Sequence, residues 1–298
     1  MEKIFLVANP RSGTMKLKNN LLDIVSVLSQ AGYVVTVYPT TGRRDATKVV
    51  SRLSDEYTTI VCCGGDGTLN EVITGMMQNP NRYRLGYIPA GTLNEWSSGL
   101  GISKNMITAA GDIIGGRVLP LDIGMFDQTY FTYTASFGAF TDASYSASQE
   151  VKNVLGQAAY IIEGIKSIGN IKPYQMTFDY GDEHIEGEFL FGSVSNSMSV
   201  GGIIKLDPNA VELNDGLFEV FLIKNPSNLG QLNSIINCIL KKDFNDPNIC
   251  FFRTDRLKVT AARDIPWTLD GELAFPRKND FEISNLHSAI SFYVPAKD

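Results

Sequence analysis

The residues Thr59-Ile60-Val61-Cys62-Cys63 form a short, continuous, largely β-branched apolar run, which reads as a strand buried on both faces of a parallel sheet. The run leads directly into Gly64-Gly65-Asp66-Gly67-Thr68-Leu69-Asn70-Glu71. Beyond the glycines, Leu69, Val72, Ile73, Met76 and Met77 recur at helical spacing, so the glycines fall at a strand-to-helix turn. The first N–H groups of a helix lack intrahelical partners and carry the positive end of its dipole, and such a turn favours an anion, usually a phosphate. Glycines there let a ligand approach the amides closely. Asp66 would repel a phosphate unless a divalent cation lay between them, so the stretch predicts a metal–nucleotide ligand. A plain tight turn is the competing reading of the glycine pair.

A chain of 298 residues is expected to form two domains, and 44% hydrophobic with 19% charged residues is ordinary for a soluble globular protein. No apolar run approaches the length of a membrane span, and Ile4 to Ala8 is too short for a signal peptide. Cys62, Cys63, Cys238 and Cys250 show no zinc or thioredoxin spacing and read as small hydrophobes in a reducing cytoplasm. With only His184 and His287 available, mechanisms built on several histidines are disfavoured. A net charge of −6 argues against nonspecific nucleic-acid binding and gives no global attraction to anionic membranes.

Read in order, Lys3 to Ala8 is a strand running into Asn9-Pro10-Arg11-Ser12-Gly13, and Leu17, Leu21, Leu22, Val25 and Leu28 mark a helix stopped at Gly32. Tyr33 to Tyr38 reads as a strand, followed by Thr40-Thr41-Gly42 and a helix through Val49 and Leu53. Arg84 to Ile88 is another strand, and Pro89-Ala90-Gly91-Thr92-Leu93-Asn94 opens another helix. This alternation predicts a parallel sheet with helices on its faces, and ligands of such sheets lie at the carboxyl ends of the strands. The loops at Asn9 to Gly13, Thr40-Thr41, Gly64 to Thr68 and Ala90 to Asn94 would then face one crevice.

Around Leu119-Asp122-Ile123-Gly124 the pattern changes to short alternating strands: Gln175 to Tyr180, Gly187 to Ser195, Phe218 to Ile223, Arg256 to Ala261 and Phe281 to Ile283. Helical stretches at Val151 to Ile168 and Leu229 to Leu240 interrupt them. The fold class expected is α/β plus β: a parallel-sheet nucleotide-binding domain over residues 1–125 and an antiparallel β-sandwich over 126–285. Residues 286–298, with Ser291 to Val294 as a strand, would return to the first domain. Asn214-Asp215-Gly216, ahead of Leu217-Phe218-Glu219-Val220-Phe221, carries a hairpin signal.

Gly-Gly-Asp-Gly-Thr followed by Asn-Glu resembles the nucleotide loop of the diacylglycerol kinase catalytic-domain family, which includes bacterial soluble lipid kinases and sphingosine kinases. Related loops occur in NAD kinases and phosphofructokinases. The resemblance extends along the chain through Asn9-Pro10-x-Ser12-Gly13, Gly91-Thr92-x-Asn94, Val118 to Gly124, Asn214-Asp215-Gly216 and Asp270-Gly271-Glu272. It departs at Glu95, Trp96 and Ser98, where the family usually carries Asp, Phe and often Arg. That puts the substrate side of the site, rather than nucleotide binding, in question.

The resemblance implies an ATP- and Mg²⁺-dependent lipid kinase acting on a primary hydroxyl, with diacylglycerol the leading acceptor and phosphatidate the product. Asn9, Pro10, Ser12, Gly13, Thr41, Gly64, Gly65, Gly67, Thr68, Gly91, Thr92 and Asn94 would hold the nucleotide. Asp66, Glu95 and Asp122 would organise metal and water, and Asp215, with backbone carbonyls such as those of Glu212 and Leu217, would hold a structural Mg²⁺. Asp270 would be the general base, its carboxylate projecting into the cleft from an apolar strand, with Asp66 and Glu272 as further catalytic carboxylates. Phosphoryl transfer needs no histidine. An NAD-kinase-like enzyme with a soluble acceptor and a nucleotide-binding regulatory protein without catalysis are the alternatives. The expected setting is cytoplasmic and peripherally membrane-associated, with a lipid substrate at the membrane surface, no nucleic acid, and a homodimer as the assembly to test. Val151 to Ile168 and Lys241-Lys242 are the candidate membrane contacts.

Overall fold

The computed structural model describes residues 1–12, 16–92, 94–138, 172–197, 199–200, 204–205, 212–241, 243–262 and 264–296. Gly13, Lys242 and the stretch Val151 to Ile168 lie outside them. The chain divides into two compact units, Met1–Leu121 with Ser288–Asp298, and Asp122–His287.

The first unit alternates β1 (Lys3–Ala8), α1 (Lys16–Gln30), β2 (Val34–Pro39), α2 (Asp45–Val50), β3 (Thr59–Gly64), α3 (Asp66–Gln78), β4 (Arg84–Pro89), α4 (Glu95–Gly99) and α5 (Met106–Gly115). The strands pair in parallel in the order β4-β3-β1-β2. The β-branched run at β3 is buried at every position, as its pattern required, while β2 alternates between exposed and half-buried residues, as suits an edge. Strand β2 begins one residue later than its apolar pattern suggests. Gly32, at φ 92°, donates to the Ser29 carbonyl and Tyr33 donates to that of Leu28, so Tyr33 is consumed in closing α1.

Helix α5 has no counterpart in the sequence-based expectation, and it buries Ala109, Ala110 and Ile113 as one stripe. Its start is set locally, by the Asn105 side chain accepting from the amides of Ile107 at 2.9 Å and Thr108 at 3.1 Å. It packs against β4 at Gly86, where a Cβ would stand 2.6 Å from Ile113 Cδ1.

The second unit contains β6 (Thr129–Phe131), β7 (Thr134–Gly138), β8 (Tyr174–Tyr180), β9 (Glu183–Ser195), the short pair β10 (Ser199–Val200) and β11 (Ile204–Lys205), and β12 (Phe218–Lys224). After them come α6 (Leu229–Lys241), β13 (Ile249–Thr254), β14 (Arg256–Ala261), β15 (Trp267–Leu269) and β16 (Glu272–Ala274). Strand β5 (Arg117–Phe126) enters this unit, and β17 (Asp280–Val294) leaves it. The first part of β17 pairs antiparallel with β14, and its end pairs parallel with β4, Ser291 opposite Arg84 and Phe292 opposite Leu85.

Strand β9 organises the antiparallel ladder. It pairs with β8 through Glu183 to Phe189, with β7 through Phe191 to Ser195, and with β12 along Phe189 to Ser195. Alternation along β12 sends Phe218, Val220 and Leu222 into an aromatic core with Phe137, Phe178 and Trp267. The opposite face sends Phe221 and Ile223 against Ile235 and Ile239 of α6.

That same period places Glu219 on the face of Phe221 and Ile223, and it is buried. Burial lifts its carboxyl to about 7, although Arg253, directly opposite on β13, pulls it down through a 3.2 Å contact. An acid whose pKa is raised on folding binds more protons in the native state, so stability falls as pH rises from its unfolded value towards about 7. A decline in Tm across that window, removed by Glu219→Gln, is expected in thermal melts recorded as a function of pH.

Candidate active site

In the first unit every candidate nucleotide loop leaves the carboxyl end of a parallel strand. Asn9 follows β1, Thr40 follows β2, Gly64 ends β3, and Ala90 follows β4. The chain passes from β1 outward to β2 and then crosses back over β1 to β3, so the loops of β1 and β3 flank the point where the winding reverses. Ligands of open α/β sheets bind at that point.

The loops are stitched to one another there. The Asn9 amide nitrogen donates to the Thr68 hydroxyl at 2.8 Å, and the Asn9 backbone donates to the Cys63 carbonyl at 2.9 Å. The Ser12 amide returns to the Asn9 carbonyl at 3.1 Å. Gly65 and Gly91 meet backbone to backbone: a Cβ on Gly91 would stand 2.6 Å from Gly65 Cα. Asn94, at φ 51°, folds back on Gly91, accepting from its amide at 2.9 Å and donating to its carbonyl at 2.8 Å. Tyr87, missed by the sequence reading because its partner lies beyond the strand end, donates its hydroxyl to Asn94 Oδ1 at 3.1 Å.

Helix α3 begins at Asp66, one residue after its Gly65 cap, and among the described residues no side chain caps it. Asp66, Gly67 and Thr68 therefore form its first turn rather than a loop ahead of it. A Cβ built on Gly67 would have nothing within 4 Å. An uncapped helix head beneath open space fits a phosphate, and Asp66 in the same turn fits a cation accompanying it.

Several expected ligands are engaged by the chain itself. Thr68 and Asn94 are buried and hold loops together. Thr41 donates its amide and hydroxyl to Asp45 at 2.7 and 2.8 Å, and the amide bond first of all holds the Asp45 carboxyl below its usual range. Glu71, in the motif but given no role by the sequence, accepts from the amides of Arg44 at 2.7 Å and Ala46 at 3.3 Å and so secures the start of α2. Thr92 is exposed. The side chains of Glu95 and Ser98 lie outside the described residues, while the Trp96 ring packs edge-on against Phe292 at 5.0 Å, which gives that departure a packing role.

In the second unit Asp122 is fully buried, and its carboxylate accepts from the Gly216 amide at 2.7 Å and contacts His287 Nδ1 at 3.1 Å. The Asn214-Asp215-Gly216 turn does not close a hairpin. Strand β12 pairs with β9 and β13, and the turn is instead an Asx turn, Leu217 N–H to Asp215 Oδ1 at 2.9 Å, tied down on Asp122.

The other Asp215 carboxylate oxygen is ion-paired with Arg253. Among the described residues no group of three or more His, Cys, Asp or Glu side chains is arranged to hold a metal ion.

Asp270 also departs from expectation. At φ 51°, its carboxylate turns onto the segment ahead of β7 rather than projecting outward. Thr132 donates its amide at 2.7 Å and its hydroxyl at 2.8 Å to one oxygen, and the amides of Tyr133 at 2.9 Å and Thr134 at 3.1 Å donate to the other. Burial pushes its carboxyl up against the downward pull of these donors. Glu272, across the β15–β16 turn, is exposed.

The Diacylglycerol kinase catalytic domain profile matches residues 3–126, and the YegS C-terminal NAD kinase beta sandwich-like domain profile matches residues 135–284. A Bacillus subtilis (strain 168) protein named diacylglycerol kinase is 33% identical over 298 residues, covering 99% of this chain and 97% of that one. A protein of the same name from Staphylococcus saprophyticus is 32% identical over 292 residues, covering 97% and 94%. A solved structure from Bacillus anthracis str. Sterne, assigned to the diacylglycerol kinases, superposes with a TM-score of 0.80 at 27% identity, covering 98% of this chain and 97% of that one. Among the described residues no helix is long and apolar enough to cross a membrane.

The contrast between two glycines tests this geometry. Gly91→Ala forces a methyl group into the Gly65 backbone and is expected to lower Tm by about 2–10 °C. Gly67→Ala meets nothing within 4 Å among the described residues beyond its own helix backbone and chain neighbours, and is expected to leave Tm within about 1 °C while weakening nucleotide binding, read by calorimetry.

Proposed function

The chain belongs to the diacylglycerol kinase catalytic-domain family, and from that premise we propose that it is an ATP-dependent lipid kinase converting diacylglycerol to phosphatidate. The observation that carries the reading is the loop-lined carboxyl edge of the parallel sheet, with the uncapped head of α3 at its reversal point. Bound Mg-ATP supplies the γ-phosphoryl group and the positive charge that reconciles Asp66 with a neighbouring phosphate. The amides at the head of α3 and the polar groups of Asn9, Ser12 and Thr92 orient the nucleotide, while the Gly65–Gly91 contact keeps the two glycine loops in register. Asp122 positions the turn at Gly216.

Asp270 accepts the proton of the acceptor hydroxyl in this reading. Of its donors among the described residues, the Thr132 hydroxyl is the one that can rotate away, so the acceptor hydroxyl takes that place at the carboxylate while the amides of Thr132, Tyr133 and Thr134 hold the group still. The chain is proposed to work in the cytoplasm as a peripheral visitor to the membrane surface, as a homodimer and without a nucleic-acid partner. A soluble dinucleotide acceptor is the second reading, favoured by the match of the second unit to an NAD-kinase-like β-sandwich profile.

Purified protein is offered labelled ATP with lipid micelles containing diacylglycerol, or with NAD. Label in phosphatidate is expected, and label in NAD alone would exclude the lipid reading. Asp270→Asn is expected to cut kcat at least about a hundredfold with little change in ATP affinity. It is also expected to lower stability by on the order of 2–4 kcal/mol, because its amide NH₂ must face backbone N–H donors. Near-wild-type turnover per folded molecule would move the base assignment to Glu272.

A further inference from the structure

The turn at residues 212–217 is where the resemblance implies a structural Mg²⁺, and the groups present do not fit one. Asp215 has one carboxylate oxygen on the Leu217 amide at 2.9 Å and the other on the guanidinium of Arg253. That guanidinium is not a loose surface charge. Glu219 and Arg253 are cross-strand neighbours on β12 and β13, and Arg253 Nε stands 3.2 Å from the buried Glu219 carboxylate. The rigid fork of the guanidinium therefore spans two carboxylates, one at the turn and one at the start of the strand that follows it.

We propose that Arg253 is the resident cation of this turn, standing where a divalent ion would bind Asp215, so that the turn folds without metal. A Mg²⁺ ion there would have to shed water, take an oxygen already held by a guanidinium that also holds Glu219, and sit beside that positive charge. Gly216 donates to Asp122 at 2.7 Å, and Leu213 accepts from the Asp122 amide at 3.0 Å, so the chain supplies its own restraints on both sides of Asp215. The Mg²⁺ requirement of phosphoryl transfer then belongs to the nucleotide alone.

The test uses nucleotide-free protein and no acceptor, so its outcome is independent of the kinase reading. Thermal melts are recorded in EDTA and in excess MgCl₂. Wild type is expected to melt at the same temperature in both to within about 1 °C. Arg253→Met frees the Asp215 carboxylate; it is expected to melt lower in EDTA and to recover at least about 2 °C with Mg²⁺, a recovery lost when Asp215→Asn is added. Arg253→Lys, the milder change should Arg253→Met not fold, is expected to melt lower than wild type and to gain nothing from Mg²⁺. A saturable Mg²⁺-dependent rise in wild type that Asp215→Asn abolishes overturns the proposal, as does a folded Arg253→Met that melts identically with and without Mg²⁺. A wild-type rise that survives Asp215→Asn marks an ion elsewhere and leaves Asp215 metal-free, as proposed.

Discussion

Backbone contact between Gly65 and Gly91 is the constraint on which the nucleotide edge depends. In the parallel ladder Gly64 lies opposite Pro89, and the Ala90 amide donates to the Gly64 carbonyl at 2.8 Å, so both chains leave the sheet at the same height. They can do so only because neither glycine carries a Cβ. The rest follows from that approach. Asn94 closes over Gly91, Tyr87 reaches Asn94, Thr68 fills the space above Gly64, and Asn9 reaches Thr68 from the neighbouring strand. With those side chains committed to one another, the head of α3 is left without a side-chain cap, and it is the part of the edge whose chemistry asks for an external anion.

The carboxylates of the second unit serve its own backbone first. Asp122 holds the Gly216 amide, Asp215 holds the Leu217 amide, and Asp270 holds the segment entering β7. A buried carboxylate surrounded by donors rigidifies whatever carries those donors, and it is costly to leave unpaired. This changes how their chemistry is read. A base role for Asp270 requires exchange of one rotatable donor, and a metal role for Asp215 requires displacement of a guanidinium. The same sheet carries a small network of buried hydroxyls, Thr134, Ser136, Ser193 and Ser195, which satisfy one another on the face opposite the aromatic core.

Local sequence by itself determined the strand–helix alternation of the first unit, the position of the glycine turn, the switch to antiparallel strands after Asp122, and the return of Ser291 to Val294 to the parallel sheet. Each rests on side-chain periodicity or on glycine placement, properties a segment carries without its neighbours. Helix α5 carries its own local signals, the Asn105 cap and the buried stripe of Ala109, Ala110 and Ile113, and so belongs with what a segment shows without its neighbours. Tertiary structure alone decided the partners of the site carboxylates. Asp270 meets Thr132 across 138 residues, His287 meets Asp122 across 165, and Arg253 meets Asp215 across 38. Which strand lies beside which is set by the packing of the whole sheet. Whether a carboxylate near a turn binds a metal, takes a proton or anchors a backbone amide therefore depends on contacts that local sequence does not encode.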